Sequence, residues 1–427
     1  MCRKLSISCV VLVWALSVPA LRAQAPAPDL TLEQALRIAF ERSPELASFR
    51  AEVEELRARG VTARTYPYNP EVSARGARRT GQSASTTDGG LEVTQEIEIG
   101  GQRGRRVAVA EAFLKAAEAR FQRDRRVLAG RVALAFADAL RARELLRIEE
   151  TDATLARSLL EIEEKRLEAG KATQIELNLA RAAAGRSVRR IELAKGVYQE
   201  TRSGLAEVIG LAPAAPPEPV GDLAGAVAEI GGLPPLEELV QAALTNREDL
   251  TAFRSQEEAA RAEVALERSL ARPNLIASAF QAREEGTDDI SGVGLAIGIP
   301  LFNRNRGRIA EAGAAVQRVA AEAAMARLAV EREVASAYAL YQASSAAARG
   351  LGEQVIGSLE ENLGLLQRSL EAGKISRTEV FLLRREFVES QREYLDALSQ
   401  ALRARVQLDL AAGRLPIPIE SNRSLEP

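Results

Sequence analysis

Leu167-Glu168-Ala169-Gly170-Lys171 is written a second time, 203 positions later, as Leu370-Glu371-Ala372-Gly373-Lys374. The same offset carries Arg103-Gly104 onto Arg306-Gly307, Glu176 onto Glu379 and Gly210 onto Gly413. Nearer the start the offset is 204, taking Leu32, Leu46, Phe49 and Arg50 onto Leu236, Leu250, Phe253 and Arg254. An offset held over most of the chain marks a tandem duplication, so a single unit needs explaining and is then repeated.

Outward from the quoted glycine, periodicity takes over. No proline falls between Gly104 and Ala169, while Val107, Leu114, Phe121 and Leu128 recur every seven residues, as do Ile148, Leu155 and Ile162. This pattern predicts a coiled-coil-like helix of about 65 residues, roughly 100 Å long at 1.5 Å per residue. Gly170-Lys171 turns it, and a return helix is expected from about Thr173 to Ile209. At the start of the unit, Thr31 is placed to cap a helix through Leu32, Leu36, Ala39 and Phe40. Ser43-Pro44 breaks that helix, a second runs to about Ala63, and Tyr66-Pro67-Tyr68-Asn69-Pro70 stops it. The short helix before the long one and the one after it add up to about its length, so they are expected to stack end to end along it.

Between these helices the texture changes. Glu71–Arg79 is short and mixed, and Gly81–Gly90 is Ser, Thr and Gly-rich, a loop by composition. Leu91–Ile99 alternates: Leu91, Val93, Ile97 and Ile99 on one face, Glu92, Glu96 and Glu98 on the other, the signature of a strand with two unlike faces. The second unit repeats the order. A helix is expected over Leu236–Leu270, strands over Leu275–Arg283 and Gly292–Phe302 around a loop at Glu284–Ser291, a long helix over Ile309–Ala372 and a return helix over Ser376–Ala412.

Residues 1–25 read as a signal peptide, with basic Arg3-Lys4, an apolar run from Leu5 to Ala20 and small residues at Ala23 and Ala25. The first unit then covers 26–211, a Pro/Gly-rich linker 212–232, the second unit 233–413 and a flexible tail 414–427. Both cysteines, Cys2 and Cys9, fall in the leader, and the chain has no histidine. Catalysis through Ser-His-Asp or Cys-His is thereby excluded, as are metal sites of imidazole or thiolate; no cofactor is expected. A formal net charge of -2 argues against nucleic acid. No apolar span of about 20 residues follows the leader, so a membrane would have to be crossed by strands. Four strands cannot close on themselves, and lipid forbids an open sheet edge, so several chains would have to share one barrel.

The order helix, hairpin, long helix, glycine turn, helix, given twice after a leader, resembles the TolC-like outer-membrane efflux family over about residues 30 to 413. The segment Gln95–Arg106 leading into Val107-Ala108-Val109-Ala110-Glu111 is similar to its heavy-metal branch, the cobalt-zinc-cadmium resistance type. The resemblance implies a mainly α fold with a β-hairpin per repeat: long α-hairpins forming a periplasmic α-barrel, and four strands per chain in a trimeric twelve-stranded outer-membrane β-barrel. It implies a homotrimer in outer-membrane lipid, a periplasmic adaptor (membrane fusion) protein, and an inner-membrane pump of the resistance-nodulation-division type. The duct would conduct passively, without enzymatic activity, heavy-metal cations being the favoured cargo and drugs or other small molecules the alternative. Adaptor contact maps onto Lys165, Arg166, Leu167, Gly170 and Lys171, and onto Arg368, Leu370, Gly373 and Lys374. A tunnel constriction maps onto Glu379, with Glu176 its counterpart; Leu382 stands where a second acid is common. Glu92, Glu96 and Glu98 would line the barrel lumen. A reading outside this family also fits the residues: a secreted structural coiled coil with a small soluble sheet.

Overall fold

The computed structural model describes residues 29–80, 85–223, 225, 233–285, 287–356, 358 and 377–415. The leader, residues 416–427 of the tail, and Arg368, Leu370, Gly373 and Lys374 at the second tip lie outside the described residues. In chain order come β1 (Asp29–Leu30), α1 (Leu32–Arg42), α2 (Pro44–Arg64), β2 (Glu71–Thr80), β3 (Ser85–Ile97), α3 (Gln102–Glu168), α4 (Gln174–Val208) and β4 (Glu218–Pro219). The second unit gives α5 (Leu236–Asn246), α6 (Glu248–Leu270), β5 (Leu275–Glu284), β6 (Asp288–Ile297), α7 (Arg306–Gly350), a π-helical turn (Leu351–Ile356) and α8 (Arg377–Ala411).

The long helix α3 runs for 67 residues without a break. Against its upper half packs α2, and against its lower half α4. The two meet end to end: Gly210, just past α4, takes φ +76° and sits where an added Cβ would come 3.0 Å from the Arg42 carbonyl at the end of α1. Gly413 repeats the conformation at φ +76° and abuts Arg247, where an added Cβ would come 3.0 Å from the side-chain Cγ. The stacking expected from helix lengths is therefore present. Capping explains the helix boundaries. Thr31 and Gln34 form a reciprocal capping box, and Ser43 caps α2 with Pro44 in its first turn.

Three departures from the expected elements have physical causes. The single helix expected over Leu236–Leu270 bends at Arg247, which has the extended backbone (φ -66°, ψ 128°) of Ser43 (φ -61°, ψ 120°). Ser43 lies 204 positions earlier, so the bend is inherited although its proline is not. The hairpin loops are shorter than composition suggested. Ser85–Gly90 and Asp288–Ser291 are strand, because pairing with β2 and β5 satisfies backbone groups whatever the side chains. The long helix expected from Ile309 loses its regular pitch after Gly350 in the π-turn.

The sheet order β2-β3-β5-β6 is antiparallel throughout. In the upper half the helices follow the same sequence, α2 beside α3, α3 beside α6 and α6 beside α7. In the lower half α3 lies between α4 and α8. The core sits where the short helices meet, with Leu36, Leu46, Val132, Leu205 and Ile209 in one repeat and Leu239, Val330, Val334 and Leu408 in the other. The Pro-rich stretch is held here: β4 pairs in parallel with β1, Arg202 donates to the Pro216 and Pro217 carbonyls, and Arg143 to those of Pro219 and Gly221.

Candidate functional site

Register assigns the faces of the sheet. Val72, Leu91, Val93, Leu275, Val293, Leu295 and Ile297 share one side. Its apolar side chains stand in the open: Leu91 is 60% exposed, Leu295 76% and Val293 85%. The other side carries Ser73, Arg75, Asp88, Glu92, Thr94, Glu96, Ser278 and Phe280, with Gly292 and Gly294. An added Cβ on Gly292 would fall 2.7 Å from the Phe280 ring, which lies across that strand. A contiguous exposed apolar face on one side of a sheet marks a non-aqueous partner. Among the described residues both outer strands, β2 and β6, keep an unpaired edge.

Glu92 and Glu96 lie on the polar face as expected. Glu92 pairs with Arg75 at 3.1 Å, while the neighbouring Arg79 pairs with Asp88 at 3.1 Å. Glu98 does not belong to this row. Strand β3 ends at Ile97, and the Glu98 side chain is 5% exposed in a two-pronged ion pair with Arg106. Its charge stabilises the joint between strand and helix, because a buried carboxylate needs a cation beside it.

That joint is a polar hub which sequence reading did not foresee. Asn274, at the start of β5, donates to Glu96 Oε1 at 2.7 Å and to the Tyr68 hydroxyl at 3.0 Å. Its carbonyl accepts from the buried Gln102 at 3.0 Å. Tyr66 donates to the Glu96 carbonyl and accepts from the Glu98 amide, its ring edge-on to Tyr68. Arg103 Nε donates to the Arg64 carbonyl at the end of α2. The two tyrosines thus serve the joint, and second-repeat Asn274 welds onto the first repeat.

At the other end of the rod, Gly170 takes φ +67°. The Lys171 amide bonds to the Arg166 carbonyl at 2.8 Å and the Gly170 amide to that of Leu167 at 3.0 Å, the paired closure of a glycine-terminated helix. Arg166 is committed to this turn: it pairs with buried Glu163 and donates across to the Lys171 carbonyl. Lys165 and Lys171 are exposed and Leu167 is half-buried. The Glu176 carboxylate folds back to accept from the Thr173 amide at 2.6 Å, so it caps α4. Glu379 lies exposed in the first turn of α8.

A charged cluster above the tip was also missed. Glu149 and Asp152 of α3 are buried, and three arginines converge on them: Arg190 of α4, and Arg384 and Arg392 of α8. Its one sequence trace is Asp152, a charge four residues beyond Ile148 on the packed side of the helix.

A sheet with one exposed apolar face and one acid-bearing face, set on a helical rod whose long helix α3 measures about 100 Å, defines the class: an outer-membrane channel subunit with a periplasmic helical tunnel. The chain belongs to the outer membrane efflux protein family, whose model matches residues 35–211 and 239–414, the two repeats. Among relatives, it is 27% identical over 93% of both chains to the cobalt-zinc-cadmium resistance protein CzcC of Cupriavidus metallidurans. It is 31% identical to the nickel-cobalt-cadmium resistance protein NccC of Alcaligenes xylosoxydans xylosoxydans, over 74% of this chain and 69% of that one. The fold matches the crystal structure of CusC with a TM-score of 0.73 at 20% identity, covering 96% of this chain and 99% of the other.

Proposed function

We propose that three copies of the chain join β6 of one to β2 of the next in a twelve-stranded barrel, and that the trimer is the passive exit duct of a tripartite pump for heavy-metal cations. The observation that carries this is the two-faced open sheet. Its apolar face suits lipid, and its unpaired edges must be closed there by other copies. The enclosed face is acidic in excess, and its two arginines are already ion-paired. A ring of carboxylates favours cations in a pore. The resistances for which CzcC and NccC are named point to the same cargo. Lacking histidine and, beyond the leader, cysteine, the duct would hold soft metals weakly and release them.

An inner-membrane pump of the resistance-nodulation-division type would supply the energy, and a periplasmic adaptor would dock at the tips through Lys165, Leu167, Gly170 and Lys171. Arg368, Leu370, Gly373 and Lys374 would form the second tip. Glu379 is the acid that the resemblance assigns to the constriction, with Glu176, the cap of α4, its counterpart in the first repeat. The test is cation and drug sensitivity of a deletion strain complemented with wild type or Glu379→Ala. Wild type should restore tolerance to divalent cations and the variant alter it. Full cation tolerance in the deletion strain, with drug resistance lost, would overturn the cargo.

A further inference from the structure

The apolar face does not stop where the sheet does. Past the end of β6 come further exposed apolar side chains, Ile299, Leu301 and Phe302, of which Phe302 is 99% exposed. The first repeat has Ile99, 54% exposed, where the second has Phe302, but it differs beside it. Counting back 203 positions, Leu301 and Ile309 stand where Glu98 and Arg106 form their buried pair. An ion pair that seals one joint is replaced at the other by Leu301, which is exposed, and Ile309, which is half-buried. Directly below, Arg103-Gly104-Arg105 recurs as Arg306-Gly307-Arg308, preceded by Arg304. The side chains of Arg105, Arg304, Arg306 and Arg308 are exposed and make no hydrogen bond or ion pair among the described residues.

These arginines do not serve the helices they begin. Positive charge in a first turn opposes the helix dipole, and neither α3 nor α7 has an acid there to offset it. Phe302 and Arg306 are four residues apart, within about 14 Å of chain. An apolar wedge and a basic cluster so spaced match the boundary between acyl chains and phosphates.

We propose that this foot of the barrel binds anionic phospholipid in the periplasmic leaflet of the outer membrane, Leu301 and Phe302 among the upper acyl chains and Arg105, Arg304, Arg306 and Arg308 on the headgroup phosphates. The assignment rests on the barrel reading above. Continuity with the lipid-facing sheet selects the occupant, and charge selects the headgroup. Since Arg103-Gly104-Arg105 is duplicated, a trimer would carry the basic element six times around its base.

The test uses the full-length trimer in vesicles of phosphatidylcholine and phosphatidylglycerol. The chain's single tryptophan is Trp14, in the leader, so Phe302→Trp gives a mature protein whose emission reports on that site alone. Lipid brominated high on the acyl chain should quench it. Replacing Arg105, Arg306 and Arg308 by Gln should lower phosphatidylglycerol enrichment around the trimer about fivefold per residue, the factor equivalent to about 1 kcal/mol per basic side chain at an anionic surface. Trimer assembly should be unchanged. An unquenched tryptophan in an inserted trimer, or trimers that dissociate when Phe302 becomes Ser, would show the wedge packed against another copy and overturn the proposal. Quenching with undiminished phosphatidylglycerol enrichment would overturn it too. Failure of wild type to insert would instead remove the barrel reading beneath it.

Discussion

Arg384 on α8 donates to both the carboxylate and the main-chain carbonyl of Asp152 on α3, at 2.5 and 2.8 Å. Both side chains are almost fully buried. Arg190 of α4 shares the same carboxylate and also reaches Glu149, which Arg392 of α8 holds from the other side. Two acids of the long helix thus fix one return helix from each repeat.

Removing one member should therefore cost more than its own lost contacts, because it strands the buried charge opposite. Arg384→Met leaves part of Asp152's charge uncompensated, at about 3 kcal/mol, within the range for breaking buried pairs. Asp152→Asn combined with Arg384→Met should cost less than the sum of the two single changes. Denaturant unfolding of the detergent-solubilised protein measures this, and strict additivity would contradict the coupling.

The rod was legible in the sequence because helix length, heptads and glycine turns are local properties. Gly170 announced its own turn, and the repeat announced the rest. What stayed hidden was whatever depends on helices distant in sequence: Asn274 meeting Glu96, or Arg384 meeting Asp152. Neither sits in the duplicated pattern, since the residues 203 positions beyond Glu149 and Asp152 are Gly352 and Val355. The bend at Arg247 could have been read, because the offset carries Ser43 onto it. Pro44 is a local signal for the first bend, whereas Glu248 at the matching place is none, although the backbone geometry is the same. Glu98 was misplaced for a related reason. Alternation continues past Ile97 in sequence, but hydrogen bonding of the strand does not.

Acid should loosen the middle of the rod at the clasp that replaces that proline. Arg247 donates to Asp249 at 3.0 and 2.6 Å, to Glu333 at 2.8 Å and to the Ala411 carbonyl at 3.1 Å. Burial works to raise the Asp249 pKa, but the hydrogen bonds and charge of Arg247 outweigh it and hold the carboxyl below its usual range. A folded pKa below the unfolded one gives stability that is present above the unfolded value, about 3.9, and lost as pH falls through the folded value. Asp409 runs the other way: burial raises its pKa and Arg405 only partly offsets this, so falling pH relieves a cost. Asp249→Asn should flatten the loss of stability below about pH 4, as followed by thermal unfolding across pH. An unchanged acid limb would refute the clasp.

Asn274→Ala should weaken the joint under the sheet while sparing the tip. It removes the partner of Gln102, which is almost fully buried, and two bonds to Glu96 and Tyr68. Orphaning a buried amide costs about 1–3 kcal/mol. The proposed trimer should separate at lower temperature in the variant on heating in detergent, with binding of the proposed adaptor unaffected.

The two glycine turns should respond unequally to alanine. At Gly170 an added Cβ meets nothing within 4 Å, so only the positive φ is penalised, by about 1 kcal/mol. At Gly210 the same penalty applies and the Cβ also lies 3.0 Å from the Arg42 main-chain oxygen, which belongs to the junction of stacked helices and cannot rotate away. Gly210→Ala should lower thermal stability clearly more than Gly170→Ala, whereas Gly170→Ala should act mainly on docking of the proposed adaptor at the tip. Equal losses would mean that the junction is looser than its geometry.

Ion selectivity gives the most direct check on the acid-bearing face of the sheet as the lumen of the proposed barrel. Arg75 neutralises part of Glu92, so the two single changes should move selectivity in opposite directions. Glu92→Gln frees the Arg75 guanidinium, which is largely exposed, and should lower the cation-to-anion permeability ratio in planar bilayers. Arg75→Gln frees the carboxylate and should raise it. High salt should shrink both effects, because charges exposed to water are screened within about 10 Å at 0.1 M. Shifts of the same sign would mean that these residues act on barrel shape, not on the field inside it.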